Sequence, residues 1–234
     1  MIRNISANTK AHFEENMNTS FLNQDCLGVV LAGGKSSRMG SNKALLMRNS
    51  STFNGQLGSK ESMLSYSKNL LKNIGINNIV VSGHVEGGCT ENYVVDKFAE
   101  LGPMGGIYSV IKKYQPKSLL ILPVDLPLMT KQTLQQLKMK GELTQKACFF
   151  MDHFLPLYLP NNAFVEQFFT ASFAQFQQGN INTVNAKNDK KNGPSIRSML
   201  SQVPYQALAL KSPQCLFNSN TPEEWQQAQQ RFSI

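Results

Sequence analysis

Cys26-Leu27-Gly28-Val29-Val30-Leu31-Ala32-Gly33-Gly34-Lys35-Ser36-Ser37-Arg38-Met39-Gly40-Ser41-Asn42-Lys43-Ala44-Leu45-Leu46 is an apolar run followed by a glycine-rich, cationic one. The first part is short and β-branched, so it reads as a buried strand. Gly33-Gly34 then ends it, as glycine pairs do. Glycine lacks Cβ, which lets the backbone bend sharply and approach a ligand closely. Consecutive exposed backbone N–H groups in such a turn form a nest for anions. Arg38 adds a planar fork of donors and Lys43 a compact point charge. The stretch is neither a P-loop, in which Gly-Lys-Ser/Thr follows four intervening residues, nor the dinucleotide pattern G-x-G-x-x-G. Its physics still favours phosphate, although the composition alone also admits a plain glycine turn with solvated cations.

Outward from this point, strands and helices alternate. Met63, Leu64, Leu70, Leu71 and Ile74 carry helical spacing through residues 60–74, with Gly75 as the stop. Ile79-Val80-Val81 reads as a second strand and Val94-Val95 as a third. Residues 104–113 read as a helix opened by Gly102-Pro103, Ser118–Leu122 as a strand, and residues 130–140 as a helix capped by Thr130. Such alternation implies βαβ units with right-handed crossovers, hence an α/β fold with a mainly parallel sheet. Ligands of open α/β sheets bind outside the carboxyl ends of the strands. Ser82, Asp96 and Asp125 each follow an apolar run, so each is expected at that edge. Residues 49–60 and 185–194 read as surface loops, the second rich in lysine. Residues 1–25, polar and without a clear period, read as a disordered arm, leaving 26–234 as a single domain.

Length and composition agree. A chain of 234 residues with 41% hydrophobic and 16% charged positions builds a full core without disulfides or metal. The formal charge of +8 suits an anionic partner: nucleic acid, an anionic membrane or a small phosphorylated ligand. A nucleic-acid module would also show aromatic and basic surface motifs, which are missing. Cys26, Cys89, Cys148 and Cys215 form no C-x-x-C pair, against a zinc ribbon or thioredoxin-like site. No apolar stretch reaches the length of a membrane span, and the N-terminus lacks the order of a signal peptide. Free thiols in a cytoplasmic protein are the expectation. His12, His84 and His153 are scattered, and no Ser/His/Asp or Cys/His constellation stands out.

The string Leu-Ala-Gly-Gly-Lys-Ser-Ser-Arg-Met-Gly-x-x-Lys-Ala-Leu-Leu resembles the opening signature of the molybdenum cofactor guanylyltransferases. Sugar-nucleotide and cytidylyl transferases share a looser version. Three later stretches resemble the same family in the same order: Gly102-Pro103-Met104-Gly105-Gly106-Ile107, Leu122-Pro123-Val124-Asp125-Leu126-Pro127, and Phe217-Asn218-Ser219-Asn220-Thr221-Pro222-Glu223-Glu224. Ser195–Leu200 is similar to a weaker helical piece before that ending. The likeness covers about residues 27–228. It departs at Asn42, where the family usually has Asp, and at Ser82, where it often has Asn; residues 49–60 are longer and residues 148–160 less typical.

The resemblance implies a three-layer, Rossmann-like nucleotidyltransferase fold. It implies GTP as donor, molybdopterin carrying molybdenum as acceptor, and molybdoenzyme maturation proteins as further partners. Leu31, Ala32, Gly33, Gly34, Lys43, Ser82, Asp96 and Asp125 would bind the nucleotide, with Arg38, Lys43 and Asp125 catalytic. Two unit charges about 4 Å apart repel by roughly 4 kcal/mol at an effective dielectric of 20. A helix N-terminus offsets only about 0.3–1 kcal/mol of that. A carboxylate beside a triphosphate therefore calls for a bridging cation, which makes Asp125 the expected Mg²⁺ ligand; without the resemblance, a capping or turn Asp is the alternative. Catalysis would rest on positioning and charge neutralisation, with no protein nucleophile. Ser82 reaches less far than Asn, which weakens the case for guanine. A cytidylyl or sugar-phosphate nucleotidyltransferase and a non-catalytic nucleotide-binding protein are the rival readings.

Overall fold

The computed structural model describes residues 26–33, 42–49, 60–83, 92–96, 98, 101–177, 194–210 and 212–232. The N-terminal arm, Gly34, Arg38, most of residues 49–60 and nearly all of residues 185–194 lie outside them.

Strand β1 (Leu27–Leu31) is buried along its whole length. Its neighbours are β4 (Ile79–Ser82) on one side and β6 (Ser118–Pro123) on the other, both parallel to it. β5 (Tyr93–Val94) continues the parallel run beyond β4. Past β6, the long β8 (His153–Pro160) runs antiparallel to both β6 and β7 (Ala147–Phe150), and β9 (Tyr205–Leu208) closes the sheet parallel to β7. The order is β5-β4-β1-β6-β8-β7-β9. The expected α/β architecture with a mainly parallel sheet is therefore present.

Period-2 alternation sends each strand's side chains to opposite faces, and each face is covered by helices. Leu27, Val29, Leu31, Val80, Leu119 and Ile121 face α2 (Pro103–Tyr114), α4 (Ala163–Gln177) and α5 (Ile196–Leu200). Val30, Val81, Leu120 and Leu122 face α1 (Met63–Asn73), α3 (Lys131–Thr144) and α6 (Pro222–Gln230). Each fully buried Val or Leu contributes about 1.5–3 kcal/mol, so this two-sided core dominates the fold's stability.

The helix ends follow local chemistry. Ser62 caps α1 by accepting from the Ser65 N–H, and Gly75 at φ +82° turns the chain away. Thr130 caps α3 as expected, accepting from the Thr133 N–H at 3.2 Å. The sequence expectations need correction at three places. Residues 60–62 form β3 (Lys60–Ser62), paired with β2 (Met47–Asn49) as a small second sheet, so the ends of the 49–60 loop are strand and α1 starts at Met63. Val95 lies beyond β5 and is exposed. α3 runs on to Thr144. Residues 147–160, for which the sequence assigned no element, hold β7 and β8.

Gly141 is where α3 meets β8. A Cβ there would collide with the ring of the fully buried Tyr158. Gly→Ala in an open helix gains about 1 kcal/mol, whereas overpacking a core costs about 1–3 kcal/mol. Gly141→Ala is therefore expected to lower the urea midpoint. A raised midpoint would contradict this packing.

Candidate functional site

The parallel strands β1, β4 and β6 end on the same edge, and backbone bonds hold their ends together. The N–H groups of Ala32 and Gly33 both donate to the Ser82 carbonyl, at 2.8 and 3.1 Å, and the Val124 N–H donates to the Leu31 carbonyl at 3.1 Å. Gly83 has φ +151°, and a Cβ on it would stand 2.5 Å from the Gly33 nitrogen. The two glycine backbones thus touch, which no larger residue at position 83 permits. This brings Leu31, Ala32, Gly33, Ser82 and Asp125 to one edge of the sheet.

Lys43 opens a 3₁₀ turn, Lys43–Leu45, whose cap is Asn42: its Oδ1 accepts from the Ala44 N–H at 3.0 Å. Asn and Asp cap about equally well, so replacing the usual acid keeps the oxygen that this turn needs. From the turn, Lys43 Nζ donates to Asp125 Oδ2 at 3.1 Å and to Asn220 Oδ1 at 2.6 Å. Both charged side chains are mostly shielded from solvent, 16% exposed for Lys43 and 19% for Asp125.

The C-terminal segment holds this pair from the far side. The Ser219 N–H and hydroxyl donate to the Asp125 carbonyl, at 3.0 and 3.3 Å. Glu224 Oε2 accepts from the N–H groups of Asn220 and Thr221, at 2.6 and 3.0 Å. Thr221 Oγ1 in turn accepts from the Glu224 N–H at 3.2 Å, a capping box that starts α6. Asn220 therefore sits on a rigid helix start, aimed at Lys43.

One atom has no partner: Asp125 Oδ1 is buried and accepts no hydrogen bond among the described residues. Leaving a buried acceptor unmet costs about 1–3 kcal/mol, and such an exception needs a reason. An unmet carboxylate oxygen at this strand-end edge fits a hard cation, since Mg²⁺ takes one or two carboxylates plus substrate phosphates. No cluster of three His, Cys, Asp or Glu side chains able to hold a metal occurs among the described residues.

A second group lies across the edge at the start of α2. Asp96 Oδ1 accepts from the Phe98 N–H at 2.8 Å. Burial pushes the Asp96 carboxyl above its ordinary range, and the Phe98 N–H pulls it partly back. A Cβ on Gly105 would stand 2.7 Å from Asp96 Oδ1, and one on Gly106 would collide with Ser82 Oγ. The glycine pair makes room for both side chains. Ser82 itself is buried, 2% exposed, and its carbonyl serves the Ala32 and Gly33 N–H groups.

Lys43 and Asp125 thus come together, Ser82 and Asp96 lie further along the same edge, at the end of β4 and just after β5, and Arg38 and Gly34 lie outside the described residues. Sequence reading assigned no role to Asn220, Glu224 or Gly83. The capping-box pattern Thr221-Pro222-Glu223-Glu224 was the available signal for a fixed helix start; nothing local marks Asn220 as the partner of a lysine 177 positions away.

Known proteins are similar to this chain in sequence and in fold. Residues 28–168, more than half of the chain, match the family model of the MobA-like NTP transferase domain. A molybdenum cofactor guanylyltransferase of Xanthomonas euvesicatoria pv. vesicatoria is 30% identical over 203 residues, 85% of this chain and 91% of that protein. Among solved structures, molybdopterin-guanine dinucleotide biosynthesis protein A from Archaeoglobus fulgidus aligns with a TM-score of 0.59 at 16% identity, over 88% of this chain and 97% of that one. A nucleotidyl transferase from Methanothermobacter aligns at 0.58 and 15%, over 89% and 98%. These two similarities show a shared fold. The chain belongs to the MobA-like NTP transferase family and is a transferase.

Proposed function

We propose that the protein transfers GMP from GTP to the phosphate of molybdenum-bearing molybdopterin and releases pyrophosphate. The observation that carries this reading is the Lys43–Asp125–Asn220 cluster with its unmet Asp125 Oδ1. An acceptor phosphate oxygen would bond to the α-phosphorus of GTP while the bond to the pyrophosphate oxygen breaks. Lys43 Nζ would neutralise charge growing on the phosphates, as preorganised donors do at developing oxyanions. Asp125 would hold Mg²⁺ through Oδ1, and the ion would supply charge neutralisation of the triphosphate. Arg38 would add a second cation, and Asp96 would accept hydrogen bonds from the nucleotide. The guanylyltransferase name of the Xanthomonas relative supports GTP and the molybdenum cofactor as substrates.

Ser82 supports a second reading. It is short and buried, so it offers a base less than Asn would, and cytosine is the alternative. A thermal shift titration separates the two. A ligand at about 100 times its Kd stabilises by about 2.7 kcal/mol, which for a chain of this size is roughly 5–10 °C. GTP with Mg²⁺ is expected to give that shift and CTP with Mg²⁺ little. The reverse order favours the cytidylyl reading, and no shift with any nucleoside triphosphate contradicts both.

A further inference from the structure

The loop that carries Asp125 is tied through alternate carbonyls by three separate elements. The Asp125 carbonyl accepts from Ser219, the Pro127 carbonyl from Arg48 Nε at 3.0 Å, and the Met129 carbonyl from the Tyr66 hydroxyl. Of the three donors, Arg48 alone shares a short segment with Lys43. It lies five residues downstream, on β2, facing Glu61 of β3.

The guanidinium of Arg48 also lies over two rings. Its Cζ lies 4.1 Å from the centre of the Tyr66 ring and 4.4 Å from that of Phe232. Phe232 is buried just past α6, edge-on to Trp225. Arg48, which sits on the Lys43 segment, therefore touches the Asp125 loop, α1 and Phe232 just past α6 at once. Simple packing between two aromatic rings does not require a guanidinium, because an apolar side chain fills such space at no desolvation cost. A planar cation adds direction: its Nε–H fixes one carbonyl, while its faces fix two rings.

We propose that Arg48 is a positioning residue that sets the register of the Lys43 turn on the Asp125 loop, and so holds Lys43 Nζ and Asp125 at their working separation. Its consequence for turnover rests on the transferase reading of that pair; its consequence for Lys43 does not. Misplacement of about 1 Å costs up to 10²-fold in rate, so the effect belongs on kcat and on the metal requirement.

The test compares Arg48→Met and Arg48→Lys with wild type, at a temperature where circular dichroism shows all three folded. Per folded molecule, both variants are expected to lose about tenfold or more in kcat and to need several times more Mg²⁺ for half-maximal rate. Lysine is not expected to rescue, because it keeps the charge and loses the plane. In ¹⁵N-lysine NMR, the Lys43 ammonium signal, identified by its absence in Lys43→Ala, is expected to be protected from exchange in wild type and unprotected in both variants. Folded variants with wild-type kcat, Mg²⁺ midpoint and Lys43 signal overturn the proposal, as does a loss of rate that only follows the unfolded fraction. If wild type releases no pyrophosphate, the proposed guanylyl transfer fails, and the Lys43 signal alone decides the role of Arg48.

Discussion

Lys43→Ala is expected to lower the rate of pyrophosphate release by about 10²–10³-fold, the usual consequence of removing one preorganised donor from a developing oxyanion. That corresponds to about 2.7–4 kcal/mol of transition-state stabilisation. The fold should survive, because Asp125 is held through its backbone by Ser219, and Asn220 by the α6 capping box. Neither support involves the lysine. Arg at position 43 is not expected to rescue, since a compact ammonium is what sits between Asp125 Oδ2 and Asn220 Oδ1, and a guanidinium fork is wider. Turnover near wild type in a folded Lys43→Ala protein would remove Lys43 from the catalytic machinery. The measurement is a coupled pyrophosphate assay, with unfolding followed in parallel.

Asp125→Asn tests the other half of the pair. The substitution keeps size and one carbonyl oxygen but removes the charge. Lys43 retains the Asn220 acceptor, so little stability should be lost. Activity is expected to fall by at least about 10²-fold, and residual activity should no longer respond to Mg²⁺. The carboxylate matters because its Oδ1 is buried and unmet among the described residues, a cost that a bound cation would offset. A fully active variant that still requires Mg²⁺ would mean that the ion sits on other ligands.

The parallel half of the sheet was legible in the sequence because both of its faces are buried. Val29-Val30-Leu31, Ile79-Val80-Val81 and Leu119–Leu122 are continuous apolar runs, the signature of strands covered on both sides. The candidate residues at their ends followed from the crevice rule. The antiparallel half was harder to read. β8 carries Pro156 and ends on Pro160, and proline argues against a central strand. The turn before it depends on Asp152 at φ +65°, which no Asn-Gly or Asp-Gly pair announces. β2 and β3 are three residues each, too short for any period to show.

The site was legible only as separate pieces. Lys43 and Asp125 were both chosen as candidates, but for opposite reasons: one to attract phosphate, the other to recruit a cation against repulsion. The structure pairs them directly, with Lys43 Nζ 3.1 Å from Asp125 Oδ2. Asn220, which completes the cluster, comes from a segment that no local pattern ties to the glycine-rich loop. Asn42 looked like a lost acid and proves to be a cap.

Pyrophosphate release by the wild-type protein, with GTP or CTP, with and without molybdenum-bearing molybdopterin and Mg²⁺, tests the central claim most directly. The expected result is release that requires GTP, the acceptor and Mg²⁺ together, one pyrophosphate for each guanine dinucleotide formed. Release that depends on CTP instead, or no acceptor-dependent release with any nucleotide, would contradict it.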